Sequence, residues 1–208
     1  MSLRRLSPEQ PASFAFTPEN QAWAQKQIKK YPDGRQASAV VPLLWRAQEQ
    51  NGGHVTEPMI RVIGEMLAMS PIRVLEIATF YTMFNLKPVG ANLIQVCTTT
   101  PCWLRGSDAV LAACKKHIHP QPETVSADGK FSWMEVECLG ACVNAPVVQI
   151  RDDFFEDLDG PRTEAIINDL RLGREPKPGS QIGRQTSAPE GGPQTLTDPN
   201  LFTGMKGG

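Results

Sequence analysis

Four of the five cysteines fall into two tight pairs, Cys97 with Cys102 and Cys138 with Cys142, spaced C-x4-C and C-x3-C. Between the pairs lie 35 residues, room for a helix and a strand. Such an arrangement suits two loops that meet in space and offer two thiolates each. A [2Fe–2S] cluster makes that demand, because each of its two irons takes two protein sulfurs. The pattern therefore implies an electron-transfer protein.

Other uses of thiols fit less well. Structural zinc is tetrahedral and is usually gripped by C-x2-C knuckles; gaps of four and three weaken zinc but leave it open. A thiol–disulfide exchange enzyme wants a C-x-x-C pair at a helix start, and the sequence has none. A Rieske centre needs two histidines on one iron. His54, His117 and His119 all fall outside the pairs and are expected at the surface or in capping positions.

A cluster divides the ligands naturally, Cys97 and Cys102 on one iron, Cys138 and Cys142 on the other. Oxidised, the cluster with its four thiolates carries about two negative charges and needs hydrogen-bond donors around the sulfurs. Thr98, Thr99 and Thr100 lie between the first two ligands, and Gly140 lies inside the second pair. A glycine there can turn its N–H inward. Cys102 is expected at a helix N-terminus, where the dipole favours a thiolate. Cys114 falls in the apolar stripe of the same helix and reads as a small buried core residue.

Composition narrows the setting. With 21 basic and 22 acidic residues the net charge is −1, so there is no electrostatic case for nucleic acid as partner. The longest apolar stretch, Ala39 to Trp45, is broken by Pro42 and is too short to span a bilayer. Any membrane association is expected to go through another protein. The N-terminus has two arginines but no apolar core, which argues against a secretory signal; a short mitochondrial presequence is the weaker reading, since Glu9 arrives early. In a reducing compartment, thiols are more often ligands or catalytic groups than disulfides.

Along the chain, residues 1–16 read as a flexible arm and residues 17–87 as a helical bundle. Thr17-Pro18-Glu19 supplies an N-cap hydroxyl, a proline at the first helical position and an acid in the first turn. That helix should stop near Tyr31-Pro32-Asp33-Gly34. A second is expected over 36–50, with Ala39, Val40, Leu43, Leu44 and Ala47 on one face. Thr56-Glu57-Pro58 and Ser70-Pro71 open two more. Residues 88–172 read as a thioredoxin-like domain with a small mixed four-stranded sheet. Its strands are expected at 92–97, 131–137, 147–151 and 154–158. One helix should follow Pro101-Cys102, with Leu104, Leu111, Cys114 and Ile118 along one side, and a last helix should run over 162–172. Strands with helices laid on them give an α/β (α+β) class overall. The acidic run Asp152, Asp153, Glu156, Asp157 and Asp159 suggests a solvated hairpin edge protected by charge, or a docking edge. In 174–208, 12 of 35 residues are Gly or Pro, and Ile182, Leu196, Leu201, Phe202 and Met205 are the sizeable apolar side chains. Residues 173–208 are therefore expected to be a disordered tail, or a strap that folds on a partner.

The segments around the cysteines, VCTTTPCWLRG (Val96–Gly106) and VECLGACVNAP (Val136–Pro146), resemble the two ligand segments of the small [2Fe–2S] subunit of bacterial respiratory complex I. The mitochondrial homologue and the small subunits of some flavin-containing hydrogenases and formate dehydrogenases are similar. Tyr31-Pro32, AVVPLL (Ala39–Leu44) and ATFYTMF (Ala78–Phe84) before Pro88-Val89-Gly90 match as well, so the likeness covers roughly residues 15–172. It implies a helical part followed by a thioredoxin-like ferredoxin domain with one [2Fe–2S] cluster on Cys97, Cys102, Cys138 and Cys142. It further implies a permanent larger partner that binds NADH and FMN, with more iron–sulfur subunits beyond it. The cluster would exchange single electrons with that flavin in an NADH:quinone oxidoreductase. The expected location is peripheral, on the cytoplasmic side of the bacterial inner membrane, or on the matrix side in a mitochondrion. No G-x-G-x-x-G or phosphate loop is present, no catalytic residue is expected, and the isolated chain should not oxidise NADH. A hydrogenase or formate dehydrogenase subunit is the close alternative, and a structural zinc scaffold the alternative from another class.

Overall fold

Proline-led helix starts with polar caps set the architecture of the first part of the computed structural model, which describes residues 4–192, 194–198 and 200. Thr17 accepts the N–H of Asn20 and opens α1, Pro18–Ile28. A 3-10 turn, Gln36–Ala39, runs into α2, Val40–Gln50. Helix α3, Glu57–Leu67, and helix α4, Pro71–Phe80, each have a proline in the first turn, whose missing N–H costs nothing there. Leu43, Leu44, Val55, Met59, Ile63, Leu67, Val74 and Phe84 are fully buried together and form the bundle core. Fully burying side chains of this size contributes about 1.5–3 kcal/mol each. Arg4, from the segment expected to be a flexible arm, donates to the carbonyls of Thr79 (2.8 Å), Tyr81 (3.0 Å) and Phe84. Those carbonyls lie at and just beyond the end of α4, where helical partners run out.

This bundle is one of two units into which the chain divides. It comprises the described residues through Ala91 together with Glu123–Ser132. The second comprises Asn92–Pro122 and the described residues from Trp133 onward. The path thus returns to the first unit for ten residues, where a single boundary near 88 had been expected. Gly90 sits at that return: its N–H donates to Ser132 Oγ at 3.0 Å, and a Cβ on it would lie 2.2 Å from the carbonyl carbon of Phe131.

In chain order the remaining elements are β1 (Asn92–Cys97), α5 (Thr100–Leu104), α6 (Ser107–His117), β2 (Phe131–Val136), β3 (Val148–Ile150), β4 (Asp153–Glu156), α7 (Gly160–Arg171) and β5 (Gly179–Ser180). The sheet order is β2-β1-β3-β4-β5. Strand β3 lies antiparallel to β1 (Ile94 opposite Ile150) and to β4 (Val148 opposite Phe155). Strand β5 runs parallel to β4, with Phe155 opposite Gly179. Helix α6 packs on α7 and on β1. Trp133 is fully buried and its indole N–H donates to the carbonyl of His119 at 2.8 Å.

Four expectations change. The sheet has five strands instead of four, because Gly179–Ser180 pairs with β4. The segment read as a disordered tail is therefore ordered where it meets that strand: Gln181 N–H donates to the Glu156 carbonyl at 3.0 Å, and Arg184 pairs with Asp157 at 2.7 Å. Its apolar residues Leu201, Phe202 and Met205 lie outside the described residues. The single helix expected after Cys102 is two, broken at Gly106, whose φ of +99° is left-handed territory that suits glycine. Leu104 consequently points away from the expected stripe and is 71% exposed. Finally, the acidic run is not a bare hairpin edge. Asp157 is buried against Arg184, and Asp159 caps α7 by accepting the N–H of Arg162 at 2.8 Å.

Candidate metal centre

Each cysteine pair sits where a regular element ends and the main chain is free to present sulfur. Cys97 is the last residue of β1, whose register with β3 fixes its position; its N–H donates to the carbonyl of Val147 at 3.1 Å. Cys102 lies in the single turn α5, with Pro101 ahead of it. Cys138 follows β2, and Cys142 opens a 3-10 turn, Cys142–Asn144. Between these last two, Gly140 adopts φ +83° and its N–H donates to Cys138 Sγ at 3.4 Å. This is the inward-turned amide expected of a glycine at that position.

The two cysteine segments meet: Leu139 and Ala141, from between Cys138 and Cys142, pack against Cys97 and Cys102. Cys138 Sγ and Cys142 Sγ are 3.4 Å apart, and Cys97 Sγ is 3.3 Å from Thr99 Oγ1. The Cys97 N–H bond to Val147 also ties the end of β1 to the stretch just after the Cys142 turn. Cys97 and Cys102 are buried, at 1% exposure each, in a small apolar cluster with Ala145 and Val147, flanked by Leu139, Ala141 and Phe154. Cys138 and Cys142 are exposed, and so are Trp103, Leu104 and Val143 beside the cysteines in sequence. All five cysteines are free thiols.

Electrostatics distinguish the members of each pair. Burial pushes the Cys97 thiol up, but hydrogen bonds from Thr99, from Leu139 and with Cys102 outweigh it, leaving it below its ordinary value. Burial, with the hydrogen bond to Cys97, pushes Cys102 up to about 12. The Gly140 N–H and the neighbouring Cys142 and Thr99 side chains bring Cys138 down, and the hydrogen bond with Cys138 raises Cys142. The two thiols of each pair are thus shifted in opposite directions, as expected where like charges crowd. An iron held by a pair would take both sulfurs as thiolates.

The residues that were set apart in the sequence stay apart. Cys114 is fully buried on α6, and burial pushes its thiol up to about 12. His54 lies beside Asn51, His117 beside Glu164 at 3.1 Å, and His119 Nδ1 accepts the N–H of Gln121. Of the threonines, Thr99 is the one that reaches sulfur, at Cys97 and at Cys138. Leu139 and Ala141, which pack the second cysteine segment on the first, escaped the sequence reading, because an apolar side chain in a loop carries no ligand signal. Among the described residues no three His, Cys, Asp or Glu side chains form the group that a single metal ion would need.

The thioredoxin-like [2Fe-2S] ferredoxin family model matches residues 24–171. The chain belongs to that family. Members of it carry a [2Fe–2S] cluster, and two pairs of free thiols on two segments packed against each other fit one. This ferredoxin is 55% identical over 204 residues to an NADH-quinone oxidoreductase subunit of the E type (copy 1) from Rhizobium meliloti (strain 1021), covering 96% of this chain and 74% of the relative. It is 57% identical over 159 residues to the NADH-quinone oxidoreductase subunit of the same type from Rickettsia bellii (strain RML369-C), covering 76% and 95%. Among solved structures, an NAD+-reducing [NiFe]-hydrogenase in the air-oxidised state superposes with TM-score 0.54 at 21% identity, over 62% of this chain and 23% of the hydrogenase chain. That likeness is one of fold. Among the described residues no helix is long and apolar enough to cross a membrane.

Proposed function

We propose that this ferredoxin is the small electron-transfer subunit of an NADH:quinone oxidoreductase, with one [2Fe–2S] cluster held by Cys97, Cys102, Cys138 and Cys142. The observation that supports the ligand assignment is the packing of one cysteine segment on the other, Leu139 and Ala141 from between Cys138 and Cys142 against buried Cys97 and Cys102. Without it, two pairs 35 residues apart in sequence would be two unrelated thiol sites. A cluster bound there supplies a one-electron store whose potential depends on hydrogen bonds and solvent around its sulfurs.

The chain's own residues prepare that store. Cys97 and Cys102 form a dry inner pair against Ala145 and Val147, which keeps water from one side. The Gly140 amide and the Thr99 hydroxyl direct positive dipole ends at sulfur, offsetting part of the charge of four thiolates. Cys138 and Cys142 form an outer pair at the surface, and electrons enter and leave on that side. The partner facing it is a larger subunit that binds NADH and FMN, since a flavin accepts a hydride and can pass on single electrons. Further iron–sulfur subunits of the same complex hold the assembly at the cytoplasmic face of the inner membrane. The kinship at 55% identity along almost the whole chain favours this assembly over a hydrogenase or formate dehydrogenase.

The test is the visible and low-temperature EPR spectrum of the anaerobically purified full chain, before and after dithionite. A brown protein that bleaches and gives a spin-one-half signal is expected. A colourless protein with one zinc and no acid-labile sulfide would establish the scaffold instead. Affinity purification from the native host then identifies the assembly: co-purification of an NADH- and FMN-binding subunit with further respiratory iron–sulfur subunits supports complex I, and hydrogenase large subunits in their place would overturn it.

A further inference from the structure

Beyond residue 171, where the family match ends, the chain comes back to the turn that carries Cys142. Asn144 is 3% exposed and lies two residues after Cys142. Its Nδ2 donates to Glu156 Oε2 at 2.6 Å and to the main-chain carbonyl of Thr186 at 2.8 Å. Its main-chain carbonyl accepts the N–H of Asp157 at 2.7 Å. Asp157 in turn receives Arg184, through Nε at 3.1 Å and Nη2 at 2.7 Å, and the hydroxyl of Ser180 at 2.7 Å. The side chains of this ion pair are 8% and 3% exposed. A pair so buried is stable only when its remaining hydrogen bonds are filled. Ser180 does this for Asp157, and the Ala188 carbonyl accepts from Arg184 Nη1 at 3.2 Å.

The backbone at both anchor points is unusual. Asp157 has φ +54° and Thr186 φ +49°, left-handed values that non-glycine residues adopt at a cost and keep where their surroundings hold them. So a two-residue strand, a buried ion pair and a side-chain amide link converge on one 3-10 turn from well downstream in the chain. Strengthening the edge of β4 alone would not require the Asn144–Thr186 link.

We infer that residues 179–188 are a strap that positions the Cys142 turn, with Asn144 and Arg184 as positioning residues for the outer thiol pair. The inference rests on the assignment of Cys142 as a cluster ligand. With the strap seated, the Asn144 amide nitrogen is saturated by protein acceptors and the turn holds a single arrangement. With it released, water replaces Thr186 at Asn144, two residues from Cys142, and adds to the solvent that already reaches the exposed Cys138 and Cys142. Water there favours the more negative, reduced form of a cluster, so release raises the midpoint potential.

Amide hydrogen exchange on the full chain, followed by anaerobic redox titration of the cluster-loaded chain, tests this with Arg184→Lys, Asn144→Ala and the double variant. Arg184→Lys keeps the charge, and with it the fold, but loses the paired contact to Asp157. Exchange at the strap amides Gln181 and Arg184 and at the turn amides Asn144 and Ala145 is expected to accelerate together, by about tenfold. The midpoint is expected to rise in both single variants, and the double variant should fall short of the sum of the singles. Strap amides that loosen while the turn amides keep their protection would overturn the inference. So would additive effects, or a turn that loosens without moving the midpoint. The ligand assignment is judged separately, by cluster content of Cys142→Ala, and stands or falls without the strap.

Discussion

At the scale of single residues, five cysteines with the same side chain have three fates. Cys97 and Cys102 are walled in, Cys138 and Cys142 face solvent, and Cys114 is buried on α6 away from both pairs. On the proposed ligand assignment, alanine at Cys97, Cys102, Cys138 or Cys142 would leave one iron short of a ligand, and each variant is expected to lose most of its cluster, read as iron and acid-labile sulfide per chain. Cys114→Ala is expected to keep full cluster content at a stability cost of about 1–2 kcal/mol, measured by urea unfolding. Equal cluster loss there would break the ligand assignment. Cys114 also gives a pH dependence whose sign is fixed. Its thiol is raised in the fold to about 12, so above its ordinary value of 9.0 the unfolded chain releases a proton that the folded chain retains. Its contribution is therefore complete below that ordinary value and declines as pH rises toward the folded one. Comparing the wild type with Cys114→Ala by urea titration between neutral and strongly alkaline pH should show the gap narrowing.

At the scale of elements, the legible parts were those with a local chemical signature. Strand β1 came out of the run NLIQVC at its full length, and the helix starts at Thr17, Thr56 and Ser70 followed from a hydroxyl set before a proline or acid. Breaks were harder to see. Gly106 separates α5 from α6, yet a lone glycine in a helical pattern is read as tolerated, and the apolar residues on either side suggested one continuous stripe. Strand β5 has no side-chain pattern at all, being Gly179–Ser180, and its order comes from a partner far back in the sequence, Asp157. Two substitutions probe element joints. Gly90→Ala drives a methyl group into the main chain of Phe131, which backbone cannot yield cheaply, and roughly 3 kcal/mol of destabilisation is expected in urea. Asp159→Ala removes the cap of α7, and a loss of about 1 kcal/mol is expected in the same assay.

At the scale of the whole molecule, sequence spacing alone reached a metal–thiolate centre, and the longer motifs around it reached a family. Neither could reach the segment after α7, because composition reports an average tendency to disorder while a single buried arginine–aspartate contact is an event at one place. The burial gradient across the cysteines carries a practical consequence for the life of the protein. On the proposed ligand assignment, a cluster is shielded on the Cys97–Cys102 side and reachable on the other, so oxidants and chelators are expected to strip iron first from Cys138 and Cys142, read as iron per chain against time.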